Sequence, residues 1–132
     1  MNVLRSFRLA APICVAGALV ACAGMSQPFS QLEGRRYFQA PIDTYPVIIL
    51  RVDGKDTLDR VVFVDPGLRK VTVQGPPDGV RAIGEERSID LDVAPCVRYY
   101  LVAVKANRLS TDFTVKVDYE EPIGGCNKTA VK

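Results

Sequence analysis

The sequence predicts an all-β domain, an antiparallel β-sandwich of about seven strands. Three observations predict it. Short runs rich in Val, Ile and Tyr recur along the chain, several of them alternate apolar with polar residues, and clusters of Gly, Pro and Asp separate them with no helical periodicity between. A small open barrel is the alternative that this pattern leaves standing.

The elements come in order from Pro41. Tyr45 to Val52 is a β-branched and aliphatic run closed by Asp53-Gly54, a dipeptide that favours a tight hairpin turn. Val61 to Val64 is a second run, ended by Asp65-Pro66-Gly67, where Pro presets φ and Gly accepts a positive φ. Val71 and Val73 then alternate with Lys70, Thr72 and Gln74, and Gly75-Pro76-Pro77-Asp78-Gly79 breaks the chain before a short edge piece at Val80 to Ile83. Ile89, Leu91 and Val93 alternate with Ser88, Asp90 and Asp92, and Phe113, Val115, Val117 and Tyr119 alternate with Asp112, Thr114, Lys116 and Asp118. Each of these two strands has one face for a core and one for water. Between them, Val97 to Val104 is apolar at nearly every position, as expected of a central strand.

Two of these strands, Tyr45 to Val52 and Val97 to Val104, are apolar on both faces, whereas a sandwich sheet normally keeps one polar face. Something is expected to cover the second face. One candidate is the segment before Pro41, with Phe29, Leu32, Tyr37 and Phe38 folding back as a strap; the other is a partner or apolar ligand on an exposed patch. Ser30-Gln31-Leu32-Glu33 has capping-box spacing, but Gly34 comes immediately after, so one helical turn is the most expected there.

At the N-terminus, Arg5 and Arg8 precede an almost wholly apolar stretch from Leu9 to Val20, the plan of a secretory signal helix. The stretch is short for a membrane span of about 20 apolar residues. Leu19-Val20-Ala21-Cys22 resembles the lipobox of bacterial lipoproteins, which implies cleavage before Cys22 and diacylglycerol on its sulfur. Ala21-Cys22-Ala23 also fits ordinary small-x-small cleavage after Ala23, so both processing routes stay open. The expected organisation is a signal peptide at 1–21, a lipidated N-terminus and tether or strap at 22–40, and a sandwich at 41–132. Ala23 after the cysteine resembles the outer-membrane sorting pattern of enteric lipoproteins, which implies an outer-membrane anchor, with the domain facing the periplasm.

Charge and composition narrow the function classes. The formal +2 is carried by Arg5 and Arg8, so the chain after Cys22 is balanced and offers no broad field for nucleic acid. Histidine and tryptophan are absent, which removes His-based triads, His general bases and His-containing zinc sites. Asp90 with Asp92 and Glu120 with Glu121 are paired carboxylates, but their spacing on wet strand faces is what solubility alone produces, and no calcium-loop pattern accompanies them. No enzyme activity, cofactor or metal is expected.

Cys14 falls in the signal segment and Cys22 at the lipobox, leaving Cys96 and Cys126, two thiols that an exported chain is expected to join in a disulfide. The pair lacks the CxxC spacing of redox-active dithiols. A candidate contact surface comprises Arg98, Tyr100, Val102, Lys105 and Arg108, with Tyr99 and Asn107 beside them: aromatic faces and guanidinium planes suit a glycan or a protein partner. The purely structural alternative places Tyr99 in the core and pairs Arg98 with Asp112 or Glu120.

Val52-Asp53-Gly54-Lys55 followed by Val64-Asp65-Pro66-Gly67-Leu68-Arg69-Lys70-Val71-Thr72-Val73 resembles PEGA-type envelope modules. Arg98-Tyr99-Tyr100-Leu101-Val102-Ala103 is similar to a strand of related lipoprotein domains. The PEGA tetrapeptide itself is missing. The likeness implies an immunoglobulin-like or PEGA-like sandwich and a scaffold or interaction role, with no catalytic residue. The expected function is thus a lipid-anchored envelope accessory working through a protein partner, with peptidoglycan binding as the alternative.

Overall fold

The computed structural model describes residues 28–35 and 41–129. Leu19-Val20-Ala21-Cys22, the signal segment, Tyr37 and Phe38 lie outside the described residues. Among those described there are nine strands and no helix: β1 (Ser30–Glu33), β2 (Thr44–Pro46), β3 (Ile48–Val52), β4 (Lys55–Asp56), β5 (Val61–Val64), β6 (Gly67–Gln74), β7 (Glu86–Val93), β8 (Val97–Val104) and β9 (Thr114–Pro122). They form two mostly antiparallel sheets, an arrangement consistent with a β-sandwich.

The larger sheet is built around β8. On one side β9 pairs with it antiparallel over its whole length. The other side is shared end to end by two short strands: β1 runs parallel to Arg98–Tyr100, and β2 runs antiparallel to Val102–Val104. Beyond β1 lies β5, antiparallel to it. The smaller sheet has the order β4-β3-β6-β7. Leu32, Val62, Val64, Tyr99, Leu101 and Ala103 from the first sheet meet Val47, Ile49, Val71, Val73 and Val93 from the second in one apolar core. The alternation read in the β7 and β9 segments has this cause: Ile89, Leu91, Val115 and Val117 pack against that core while Ser88, Asp90, Asp92, Thr114 and Lys116 are exposed.

The turn chemistry obeys residue type. Asp53 and Gly54 both take positive φ, 51° and 79°, the mirror-image turn whose twist matches a hairpin, and Val52 pairs with Lys55 across it. Gly67 takes φ 115° after Pro66.

Four expectations are corrected. First, Ser30–Glu33 is neither a helical turn nor a tether but a buried strand inside the larger sheet, so the folded unit takes in residues before Pro41. Its period is two: Leu32 enters the core while Gln31 and Glu33 lie on the outer face, and the Ser30 hydroxyl donates to the Ala94 carbonyl at 2.6 Å instead of capping a helix. Second, the run from Tyr45 to Val52 is two strands in different sheets. The chain crosses between them at Pro46-Val47, where the Val47 N–H donates to the Gly34 carbonyl at 2.9 Å, and a bulge at Leu50 shifts the facing of Arg51 and Val52. The run therefore never had to cover both faces of one strand; Val47 and Ile49 are buried and Ile48 is exposed. Third, Val80 to Ile83 forms no strand and lies in the loop between β6 and β7. Fourth, the strands number nine rather than about seven, because β1 and the two-residue β4 join and Tyr45 to Val52 divides, while Val80 to Ile83 drops out.

Gly34 stands where the ends of β1 and β2 converge. A Cβ there would lie 2.0 Å from the Val47 carbonyl oxygen, so no larger residue fits without backbone movement.

Candidate functional site

The outer face of the larger sheet carries the polar residues that the sequence singled out. Odd-numbered Tyr99, Leu101 and Ala103 point into the core, which turns Arg98, Tyr100 and Val102 outward. Register places Gln31 of β1 on one side of Arg98 and Glu121 of β9 on the other. The Arg98 Nε donates to Gln31 Oε1 at 2.7 Å and its Nη1 to Glu121 Oε1 at 3.0 Å. The Tyr100 hydroxyl donates to the same Glu121 oxygen at 2.8 Å, and Arg98 Nη1 lies 3.5 Å from that hydroxyl. Two residues before Glu121 on β9, at a bulge in its pairing with β8, Tyr119 sets its ring 6.0 Å from that of Tyr100.

The electrostatics arise from this crowding. Burial raises the Tyr100 phenol above its ordinary value, with the Glu121 carboxylate adding to the rise against the opposing Arg98. The Arg98 guanidinium is raised in turn, first by its hydrogen bond to Tyr100 and then by charge with Tyr100 and Glu121. Arg98 and Tyr100 thus each have a named acceptor, the condition under which half-buried polar side chains hold one geometry.

The five residues of the candidate surface do not share one exposed patch. Arg98 and Tyr100 are adjacent and half-buried, but Val102 is only 4% exposed between the flanking strands β2 and β9. Lys105 is 7% exposed, with its ammonium 5.2 Å from the Tyr45 ring centre and its backbone N–H donating to the Asp43 carbonyl. Arg108 is exposed in the loop after β8. Tyr99 is in the core, its hydroxyl accepting from the Ala94 N–H at 2.8 Å. The acid partner of Arg98 is Glu121, in place of Asp112 or Glu120; Asp112 pairs instead with Arg87 at 3.0 Å. Gln31 was the participant that sequence reading missed, because only the parallel β1–β8 register brings it to Arg98.

Cys96 and Cys126 form a disulfide with Cα atoms 5.6 Å apart. The bridge lies at the start of β1: the Cys96 N–H donates to the Phe29 carbonyl at 3.2 Å, Cys126 Sγ lies 3.5 Å from the same oxygen, and the Ile123 N–H donates to the Cys96 carbonyl at 2.9 Å. Ser30, fully buried, adds a hydroxyl that accepts from the Val97 N–H at 3.1 Å.

Two surface clefts lie at the side where β3 and β4 approach β5. One, of about 280 Å³, is lined by Gly34, Val47 to Leu50 and Thr57 to Arg60; the other, of about 440 Å³, has Val52, Phe63, Asp53, Asp56, Asp59 and Arg69 among its walls. Among the described residues, no group of three or more His, Cys, Asp or Glu side chains could hold a metal ion, and no helix is long and apolar enough to cross a membrane. Compared with known proteins, the chain matches no family model, no curated sequence and no solved structure.

Proposed function

We propose that the protein is a lipid-anchored accessory or scaffold of the bacterial envelope, a PEGA-like module that acts by binding a protein partner rather than by catalysis. The observation that carries the reading is the Cys96–Cys126 disulfide closing on the first residues of β1, a short distance after a lipobox-like Leu19-Val20-Ala21-Cys22. A disulfide at that place suits an oxidising compartment, and an anchor at Cys22 suits a chain whose folded part begins soon afterwards. The exposed apolar side chains Ile42, Val80, Ile83 and Leu109 supply loop contacts for a partner. Intact-mass measurement of protein extracted from membranes tests the anchor: a mature chain beginning at Gly24 without acyl mass refutes it. Cross-linking in intact envelopes then tests the partner, with a discrete cross-linked protein as the expected product.

A second reading, binding of peptidoglycan, draws on the Tyr100 and Tyr119 rings beside Arg98, since Tyr119 is 43% exposed at an aromatic ledge. Retention on purified sacculi supports it, and passage without retention removes it.

A further inference from the structure

We infer that the sandwich end from which β1 starts faces a phospholipid bilayer at close range, and that the opposite loop end is turned away from it. The inference rests on the proposed anchor at Cys22. Five residues separate Cys22 from Pro28, which is already buried in the folded part, and whatever their conformation, six Cα steps span no more than roughly 22 Å. The leash is this short because β1 belongs to the sheet; had the folded part begun at Pro41, the segment from Cys22 would be more than twice as long.

The start of β1 is also held against lengthening. Withdrawing β1 would break its pairing with β5 and β8, expose the fully buried Leu32, and pull Phe29 from the backbone of Cys96, which the disulfide fixes to the chain beyond β9. At this end lie Ala94 to Cys96, Asp65 to Gly67 and the exposed Leu68, because β8 and β6 start here and β5 and β7 finish here. The other end holds the loops after β6 and β8, with Val80, Ile83 and Leu109. The eight residues of β8 separate the two ends by roughly 26 Å, and the loop from Gly75 to Glu85 adds to that. Bringing the loop end down onto the lipid would lift the start of β1 beyond the reach of its leash. Val80, Ile83 and Leu109, the proposed partner contacts, are thereby presented outward.

The chain contains no tryptophan, so a single introduced indole reports from one place. Leu68 and Leu109 are 72% and 93% exposed, and neither L68W nor L109W disturbs the core. Each variant, purified from membranes and checked for acyl mass, is reconstituted in phosphatidylethanolamine/phosphatidylglycerol vesicles bearing dansyl headgroups, and indole-to-dansyl energy transfer is measured. The expected result is several-fold more transfer from L68W than from L109W, with the difference collapsing when a Gly/Ser spacer of about 15 residues is inserted after Gly24. Equal transfer from the two acylated variants, greater transfer from L109W, or a spacer without effect overturns the orientation while leaving the anchor standing. Absence of acyl mass overturns the anchor and the orientation with it.

Discussion

Leu32→Ala separates a strand from a tether more sharply than any other single change. Leu32 is fully buried and lies in the common core, on a strand paired on both sides. Truncation removes three carbon atoms, worth about 0.8 kcal/mol each in lost transfer, and leaves a cavity between two sheets that collapse poorly. The sum falls in the range of about 3–4 kcal/mol. In a domain near 100 residues this lowers the melting temperature by roughly 12–30 °C, and it is a large share of a total stability of about 5–15 kcal/mol. Urea unfolding tracked by far-ultraviolet circular dichroism supplies the measurement, with the midpoint falling and the slope unchanged. A loss within about 0.5 kcal/mol, the effect of a solvated linker residue, would refute the placement of β1 in the core. A chain started at Pro41 provides the companion test: lacking β1, it leaves β5 without a partner strand and is expected to lose cooperative unfolding.

The same geometry sets other expectations. Replacing Cys96 and Cys126 together by Ser opens a loop of separation 30 and is expected to cost about 3–4 kcal/mol on the chain-entropy model, measured as the difference in unfolding free energy from the oxidised protein; an unchanged midpoint counts against the bridge. Gly34→Ala drives a Cβ into the Val47 carbonyl oxygen, so it should destabilise far more than Gly79→Ala, where the added atom meets open space; equal melting temperatures for the two contradict the β1–β2 junction. Asp53, Asp78 and Asp112 are all held below the ordinary carboxylate value, by the Lys70 N–H and Arg69, by the Arg81 and Val80 N–H groups, and by Arg87 respectively. A depressed folded-state value stabilises above the unfolded value of about 3.9 and is lost as pH falls through the folded one. Urea midpoints are therefore expected to drop on acidification below about pH 4, and Asp112→Asn should lessen that drop; a variant with the same acid sensitivity as the parent rules out its share.

Much of the fold was legible because strand alternation and turn chemistry are local. Ser88 to Val93 and Thr114 to Val117 show a two-residue period that any half-buried strand must show, although the bulge after Val117 turns Tyr119 to the outer face against the period read for it. Asp53-Gly54 and Pro66-Gly67 write their backbone conformations into residue type. The cysteine pairing was legible by elimination. Ser30–Glu33 was not, since four residues with one aliphatic side chain are too few to display a period, and only pairing with β5 and β8 makes them a strand. Tyr45 to Val52 was misread for the opposite reason: its apolar residues are continuous, and hydrophobicity does not record that the chain changes sheets at Pro46. The polar group shows the same division. Arg98, Tyr100 and their strand were visible in the sequence, whereas the partners Gln31 and Glu121, at separations of 67 and 23 from Arg98, are set by register. Residue type and spacing determined the class of element, the turns and the disulfide, because those depend on neighbours along the chain. Tertiary structure alone decided that β1 is part of the sheet and that Arg98 finds Gln31 and Glu121, because pairing between distant strands is selected by the packing of the whole core.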